Sequence, residues 1–465
     1  MTSPASLAPQ SVSAPGKVFL AGGYLVLDRK YTALVFGLDA RIHCHIEPIR
    51  TQSGVYLNEI IVKSPQFREA VWEYGYRLTE GNGGVNVTQL RASHDSSLNR
   101  NPFIETALAY ALTYISSCAP QYLIQPSSIS ILASSSYYSN PGKARSSNSQ
   151  FLDFDVTLEE AHKTGLGSSA ALVTSFTAAL LTHYLPKDVF DLSQDESLKV
   201  LHNLSQASHC AAQGKVGSGF DIASAVYGSC LYRRFSPSLL EGHGEPGSLG
   251  FASKLRSLVD GGVEWDTEIQ KAAIKMPAGL RLLMCDVDCG SQTPGMVKKV
   301  LAWRKERQED ADKIWKALQE GNEALAAELT RLATVEVANG DAGERYGKLR
   351  EIFKSNRELI RQMSVQSKVP VEPPQQTALL DAVSNVPGVI GGVVPGAGGY
   401  DAIVVLIEDK AEVIAELKKL LSGWKVDEDG EDGVKIGKVG ILGVREEMVG
   451  VRLEEPGLYK EWLTG

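Results

Sequence analysis

The chain has 465 residues, 43% of them hydrophobic and 22% charged, which excludes wholesale disorder and a membrane bundle and leaves room for two large domains or about three smaller ones. Asp and Glu number 55 against 47 Lys and Arg, a net charge of −8, so no global basic field draws the chain onto nucleic acid or anionic lipid. Any anionic ligand must be held by a local pocket.

Residues 1–12 are rich in Ser, Pro and Ala, lack Lys and Arg, and read as a flexible tail with no targeting pattern. The six cysteines are scattered rather than set at framework spacings, which suits a reducing compartment, and no stretch reaches ~18 apolar residues, so a cytoplasmic protein is expected. Lys17–Leu20 reads as a strand, followed by a glycine turn and a second apolar run at Tyr24–Leu27; Ile42, Cys44 and Ile46 alternate on one face of another strand. The spacing predicts helices over 102–118 and 169–184, the second with Leu172, Phe176, Ala179 and Leu180 on one face. Between them the Ser-rich stretch 127–149 reads as a mobile loop, a lid over a site being the alternative. Weak periodicity over 236–268 places a boundary near 235, giving an N-terminal unit 13–235 and a C-terminal unit 236–465. Downstream, a strand at Leu280–Val287, charged-apolar helices over 295–334 and 343–364 and a strand at 401–408 make the class α+β. The acidic run Asp427–Asp432 lies among glycines and reads as a solvated turn.

The segment Lys163-Thr-Gly-Leu-Gly-Ser-Ser-Ala-Ala171 runs straight into the second helix. A helix N-terminus offers unpaired N–H groups and a positive dipole end, and the glycines at 165 and 167 let phosphate oxygens approach the backbone. Ser168 and Ser169 can add hydroxyl donors or a magnesium ligand, and Lys163 adds charge. An ordinary serine cap on a buried helix is the alternative. The spacing is neither Gly-x4-Gly-Lys-Ser/Thr nor Gly-x-Gly-x-x-Gly, so both common nucleotide folds are disfavoured. Val216-Gly-Ser-Gly-Phe-Asp221 is a glycine-rich turn delivering one carboxylate. Ser291, Gln292 and Thr293 follow a strand and lead into a helix at Pro294, a second anion-binding helix start or a plain strand-to-helix turn. His43 with His45, and Cys285 with Cys289 around Asp286 and Asp288, lack a four-ligand zinc spacing and read as structural.

Gly165–Ala170 resembles the phosphate loop of the GHMP kinase superfamily, and Ala14-Pro-Gly-Lys17 and Pro395-Gly-Ala-Gly-Gly-Tyr-Asp-Ala402 match two further motifs in the same order. Ser13–Leu27, with Gly22-Gly23-Tyr24 where mevalonate kinases and galactokinases usually have Gly-Glu-His, looks like the phosphomevalonate kinases of that superfamily, as does Lys163 before the loop. The resemblance implies a GHMP kinase fold, with a ribosomal-protein-S5-like N-terminal domain and a ferredoxin-like C-terminal α+β domain. It implies ATP and Mg2+ as cofactors, and transfer of a phosphoryl group to (R)-5-phosphomevalonate by a monomer or homodimer that binds neither nucleic acid nor membrane. Lys17 and Asp221 become the expected catalytic pair, with ATP phosphates held by Lys163, Gly165, Leu166, Gly167, Ser168, Ser169 and Ala170. Asn101 and Pro102 are expected on the adenine side, and Lys17, Tyr24, Ser218, Ser291, Gln292, Thr293 and Gly398 on the acceptor side. One departure stands out: mevalonate kinases of the superfamily carry a magnesium-binding glutamate whose ungapped equivalent here is Cys210, so the resemblance leaves magnesium to ATP oxygens, Ser168 and water. Mevalonate kinase, another small-molecule kinase of the superfamily, or a catalytically silent sensor of the same fold are the alternatives.

Overall fold

The structure is a computed structural model that describes residues 7–51, 55, 57–90, 99–121, 123–145, 150–288, 295–334, 345–425 and 438–463. Its first half is organised by β1 (Gln10–Ala21) and β2 (Ala33–Pro48), paired antiparallel along almost their whole length. With β3 (Glu59–Lys63), β4 (Val71–Leu78), β5 (Val85–Gln89) and β6 (Ser127–Ala133) they build most of a ten-stranded sheet in which only the β3–β6 pairing is parallel among those joining these six strands. The tail is therefore shorter than expected: Gln10–Val12 is already strand, and residues 1–6 lie outside the described residues.

Residues 127–133, expected within a mobile loop, instead form β6 between β2 and β3. Composition hid a period of two: Ile129 and Ile131 are buried, and Ser127 is small enough to be buried as well, its hydroxyl 2.7 Å from the Tyr184 hydroxyl. The rest of the Ser-rich stretch winds into a short hairpin, β7 (Lys143–Ala144) with β8 (Leu152–Asp153), while 146–149 lie outside the described residues.

Both predicted helices form, α1 over Pro102–Cys118 and α2 over Ser168–Tyr184, and α3 (Asp195–Gln213) packs beside them. Alanines and small polar residues let α2 lie close on β1 and β2 while buried on nearly every side. After α4 (Phe220–Tyr227) the chain adds β9 (Cys230–Arg233), and here the expected boundary at 235 is corrected. Residues 236–270 stay with the first layer, because α5 (Phe251–Asp260) buries Phe251, Leu255 and Leu258 against α1 and α3, and β10 (Glu268–Gln270) pairs with β9. The glycines there serve turns around a short amphipathic helix rather than a linker.

The second layer is a four-stranded antiparallel sheet in the order β12-β13-β11-β14, from β11 (Leu280–Asp288), β12 (Val389–Val393), β13 (Ala402–Glu408) and β14 (Lys438–Leu442). The expected long helix over 295–334 breaks at Arg307 into α6 (Met296–Glu306) and α7 (Gln308–Thr334), and α8 spans Gly347–Ser367. The acidic run 427–432 lies outside the described residues. The chain then returns to the first sheet, where β15 (Glu446–Glu447) pairs with β2 and β16 (Arg452–Leu453) with β1. Arg41, 1% exposed, locks this return by donating to the Ser13 hydroxyl at 2.6 Å and to the carbonyls of Val449 and Gly450 at 3.3 and 2.5 Å.

Candidate active site

The register of β1 against β2 slips between Pro15 and Gly16, a bulge of the kind that re-aims the following side chain. A Cβ on Gly16 would lie 2.8 Å from the Tyr137 hydroxyl and 2.9 Å from the Leu166 carbonyl, so only glycine lets the phosphate loop close onto β1 here. Lys17 follows: its N–H donates to the Leu166 carbonyl at 2.9 Å and its ammonium to the Gly165 carbonyl at 3.4 Å. Burial pushes the Lys17 ammonium below its ordinary value, and the Asp221 carboxylate opposes that shift.

The loop itself needs left-handed backbone at Gly165 and Gly167, with φ of 74° and 79°. Gly167 caps α2, leaving the first N–H groups of the helix free, and nothing within 4 Å would meet a Cβ on Gly165, which leaves an open concavity. Leu166 and Ala170 turn their side chains into the core, each 1% exposed, so their part in the loop is backbone. Lys163 is exposed and bridges to Tyr138 at the loop entrance. Asn101 caps α1, accepting from the Ile104 N–H at 3.3 Å, with Pro102 as the first helical residue. The next residue, Phe103, stacks on His209 with ring centroids 5.4 Å apart, which brings the start of α1 beside the loop.

Asp221 stands in the first turn of α4, whose cap Gly219 has φ of 84°. A Cβ on Gly219 would fall 2.7 Å from both Phe235 and the Tyr232 hydroxyl, so the turn is packed from behind. Its carbonyls are held too: the Tyr232 hydroxyl donates to Ser218 at 2.8 Å, and Arg234 donates to Gly217 at 2.7 Å, to Val216 at 3.3 Å and, from its other arm, to Leu27 at 2.9 Å. Phe220 packs on Phe19 at 3.9 Å, and the Lys17 ammonium sits 5.5 Å from the centre of the Phe220 ring. Lys17, the loop and Asp221 thus converge, although Lys17 and Asp221 are 204 positions apart in the sequence.

The glycine turn 396–399 closes against the same end of β1. A Cβ on Gly23 would collide with the Gly396 carbonyl and one on Gly398 with the Val371 backbone. Tyr24, 2% exposed, donates its hydroxyl to the Ala397 carbonyl at 2.7 Å, so it serves as a tie between the two layers. Ser291, Gln292 and Thr293 lie outside the described residues, as does Cys289. Of the histidines expected to be structural, His43 is 2.9 Å from the Tyr459 hydroxyl and His45 is 2.8 Å from the Ser11 hydroxyl.

Magnesium prefers hard oxygen ligands and keeps several waters. Cys210 offers none: burial pushes its thiol pKa up, and the sulfur accepts the Gln206 amide at 3.1 Å. Among the described residues no cluster of three His, Cys, Asp or Glu is arranged to hold a metal. Ser168 at the start of α2 and Asp221 in the first turn of α4 offer hard oxygens, which fit an ion brought in by nucleotide phosphates rather than a resident one. A cavity of about 1150 Å³ elsewhere, lined by residues that include Tyr76, Arg77, Leu123 and Arg256, carries none of these groups. Sequence reasoning missed Arg234, Tyr232 and His209; a run of polar residues on the inward face of α3, Ser205, Gln206, Ser208 and His209, was the signal for the last.

The family model described as GHMP kinases N terminal domain matches residues 143–229, and the one described as GHMP kinases C terminal matches residues 344–425. Phosphomevalonate kinase of Gibberella zeae is 52% identical over 456 residues, covering 97% of this chain and 98% of that protein. The chain belongs to the phosphomevalonate kinases of the GHMP kinase family. The Aspergillus fumigatus phosphomevalonate kinase is 48% identical, with 97% of this chain and 98% of the relative covered. Among solved structures, Streptococcus pneumoniae phosphomevalonate kinase in complex with phosphomevalonate and AMPPNP is 18% identical with a TM-score of 0.57 over 93% of this chain and 99% of that one, a likeness of fold.

Proposed function

We propose that the chain transfers the γ-phosphoryl group of ATP to (R)-5-phosphomevalonate, giving (R)-5-diphosphomevalonate and ADP in the mevalonate route to isoprenoids. The observation that carries this reading is the meeting of Lys17 with both the phosphate loop and Asp221 in a chain 52% identical to a phosphomevalonate kinase across nearly its whole length.

An oxygen of the acceptor phosphate attacks the γ-phosphorus; the bond from that phosphorus to the β–γ bridging oxygen breaks, and its electron pair leaves with ADP. The free N–H groups at the start of α2 and the Ser168 hydroxyl hold the nucleotide phosphates, with Lys163 at the entrance. Lys17 balances charge on the moving group, and Asp221 orients the acceptor oxygen and takes any proton it still carries. A phosphate is largely ionised near neutrality, so positioning is the larger share of the Asp221 role. Ser168, with ATP oxygens, would hold magnesium, which would supply positive charge against the nucleotide phosphates. Ser218 and Gly398 border the acceptor side, and Ser291, Gln292 and Thr293 are assigned there with them; Asn101 and Pro102 border the adenine. The working compartment is the cytoplasm, in keeping with scattered cysteines, and a fractionation that finds the protein in organelles would reassign it.

The test is ADP release from Mg-ATP with 5-phosphomevalonate and, in parallel, with mevalonate. Turnover is expected with the phosphorylated acceptor alone. Asp221→Ala should lower kcat by about 100-fold or more while leaving nucleotide affinity nearly unchanged. Equal losses in both would remove Asp221 from the chemistry, and turnover with mevalonate alone would reassign the step.

A further inference from the structure

His209 is 2% exposed on α3, yet nothing in the reaction described above uses it. Its Nε2 lies 3.1 Å from the Ser169 hydroxyl and 3.4 Å from the side-chain nitrogen of Gln213. With the Gln213 amide nitrogen turned toward it, Nε2 is the acceptor, its one lone pair shared between the two contacts, and the ring is the neutral Nδ1–H tautomer. Burial favours the neutral ring as well, against the opposing pull of Asp221. The Ser169 hydroxyl therefore donates to the same ring nitrogen. Phe103 lies nearly parallel to the imidazole, 29° between planes, and fixes its tilt. The ring is held by α1 and by its own helix, and what it grips is the phosphate loop.

Ser169 is the second residue of α2, where the backbone N–H groups have no partner within the helix. Fixing its side chain fixes the first turn of that helix and hence the aim of those donors. A packing role alone would be met by any ring of similar size; the acceptor placed on the loop serine would then be an unneeded cost of burying a polar atom. We propose that His209 is a positioning residue of the nucleotide site, acting through Ser169 to hold the start of α2 in its anion-binding geometry without touching the nucleotide. The proposal rests on the kinase reading for its consequence, but the contact it names stands without it.

Glutamine can place an acceptor where Nε2 lies, whereas asparagine is too short, so His209→Gln and His209→Asn form a matched pair. AMPPNP affinity by calorimetry, kcat and both KM values would be measured for these, for Ser169→Ala and for Ser169→Ala with His209→Asn. His209→Asn is expected to weaken AMPPNP binding and raise KM for ATP roughly tenfold, with KM for 5-phosphomevalonate little changed, and to add nothing in the Ser169→Ala background. His209→Gln should recover most of the loss. Losses that multiply in the double variant, or a folded His209→Gln variant as poor as His209→Asn, would overturn the proposal. Should His209→Asn fail to fold, His209→Gln must keep near-native AMPPNP affinity, and a tenfold loss there would overturn it. A wild type that binds AMPPNP but turns over neither acceptor would sink the kinase reading while leaving the strut standing.

Discussion

At the scale of single residues, the site turns on a lysine kept partly out of water beside one carboxylate. Because burial lowers the Lys17 pKa and Asp221 raises it again, the cation is present below that shifted value and is lost as pH rises through it. Activity should fall on the alkaline side for this reason. Asp221→Asn removes the supporting charge, so the alkaline limb of the residual turnover, or the pH at which the Lys17 ε-carbon shift titrates, should move to lower pH. A limb that stays in place would separate Lys17 from Asp221 electrostatically. The residues proposed to carry chemistry stand out in the sequence because each is announced by glycines the backbone requires, at 16, 165, 167 and 219. His209 and Arg234 were not, since they act through a hydroxyl and through carbonyls that only the folded chain brings near.

At the scale of elements, helices were legible and short strands were not. The apolar spacing of α1 and α2 sets their length to within a residue of what forms. The seven residues of β6, five of them serine or isoleucine, look like loop until β2 and β3 flank them, and β16, two residues long and exposed, has no pattern at all. Its place is fixed instead by Arg41. Arg41→Ala would leave the Ser13 hydroxyl and the buried Gly450 carbonyl without their donor and should cost about 3 kcal/mol or more in urea unfolding, with a matching fall in Tm. A loss under about 1 kcal/mol would mean the return of the chain is held elsewhere.

At the scale of the whole molecule, several buried histidines make the fold sensitive to acid. Burial lowers the pKa of His43 to about 3 and those of His183 and His202 to about 4. In the unfolded chain each titrates near ~6.5, so below that the unfolded state binds more protons, and stability is lost as pH falls from there toward the folded values. The loss is on the order of 3 kcal/mol for each. Urea midpoints should therefore drop between pH 7 and pH 4.5, and a flat profile would show that these rings are not buried neutral. The return of the chain to its first sheet has a consequence for how the protein is made. Ser13 and its partner Glu454 are 441 positions apart. At roughly 5–20 residues per second, a ribosome needs about 20 to 90 s to deliver the second after the first. Throughout that interval the nascent β1 has one edge open, so cells must either shield it with a chaperone or tolerate a protein whose yield is set by the speed of its own translation.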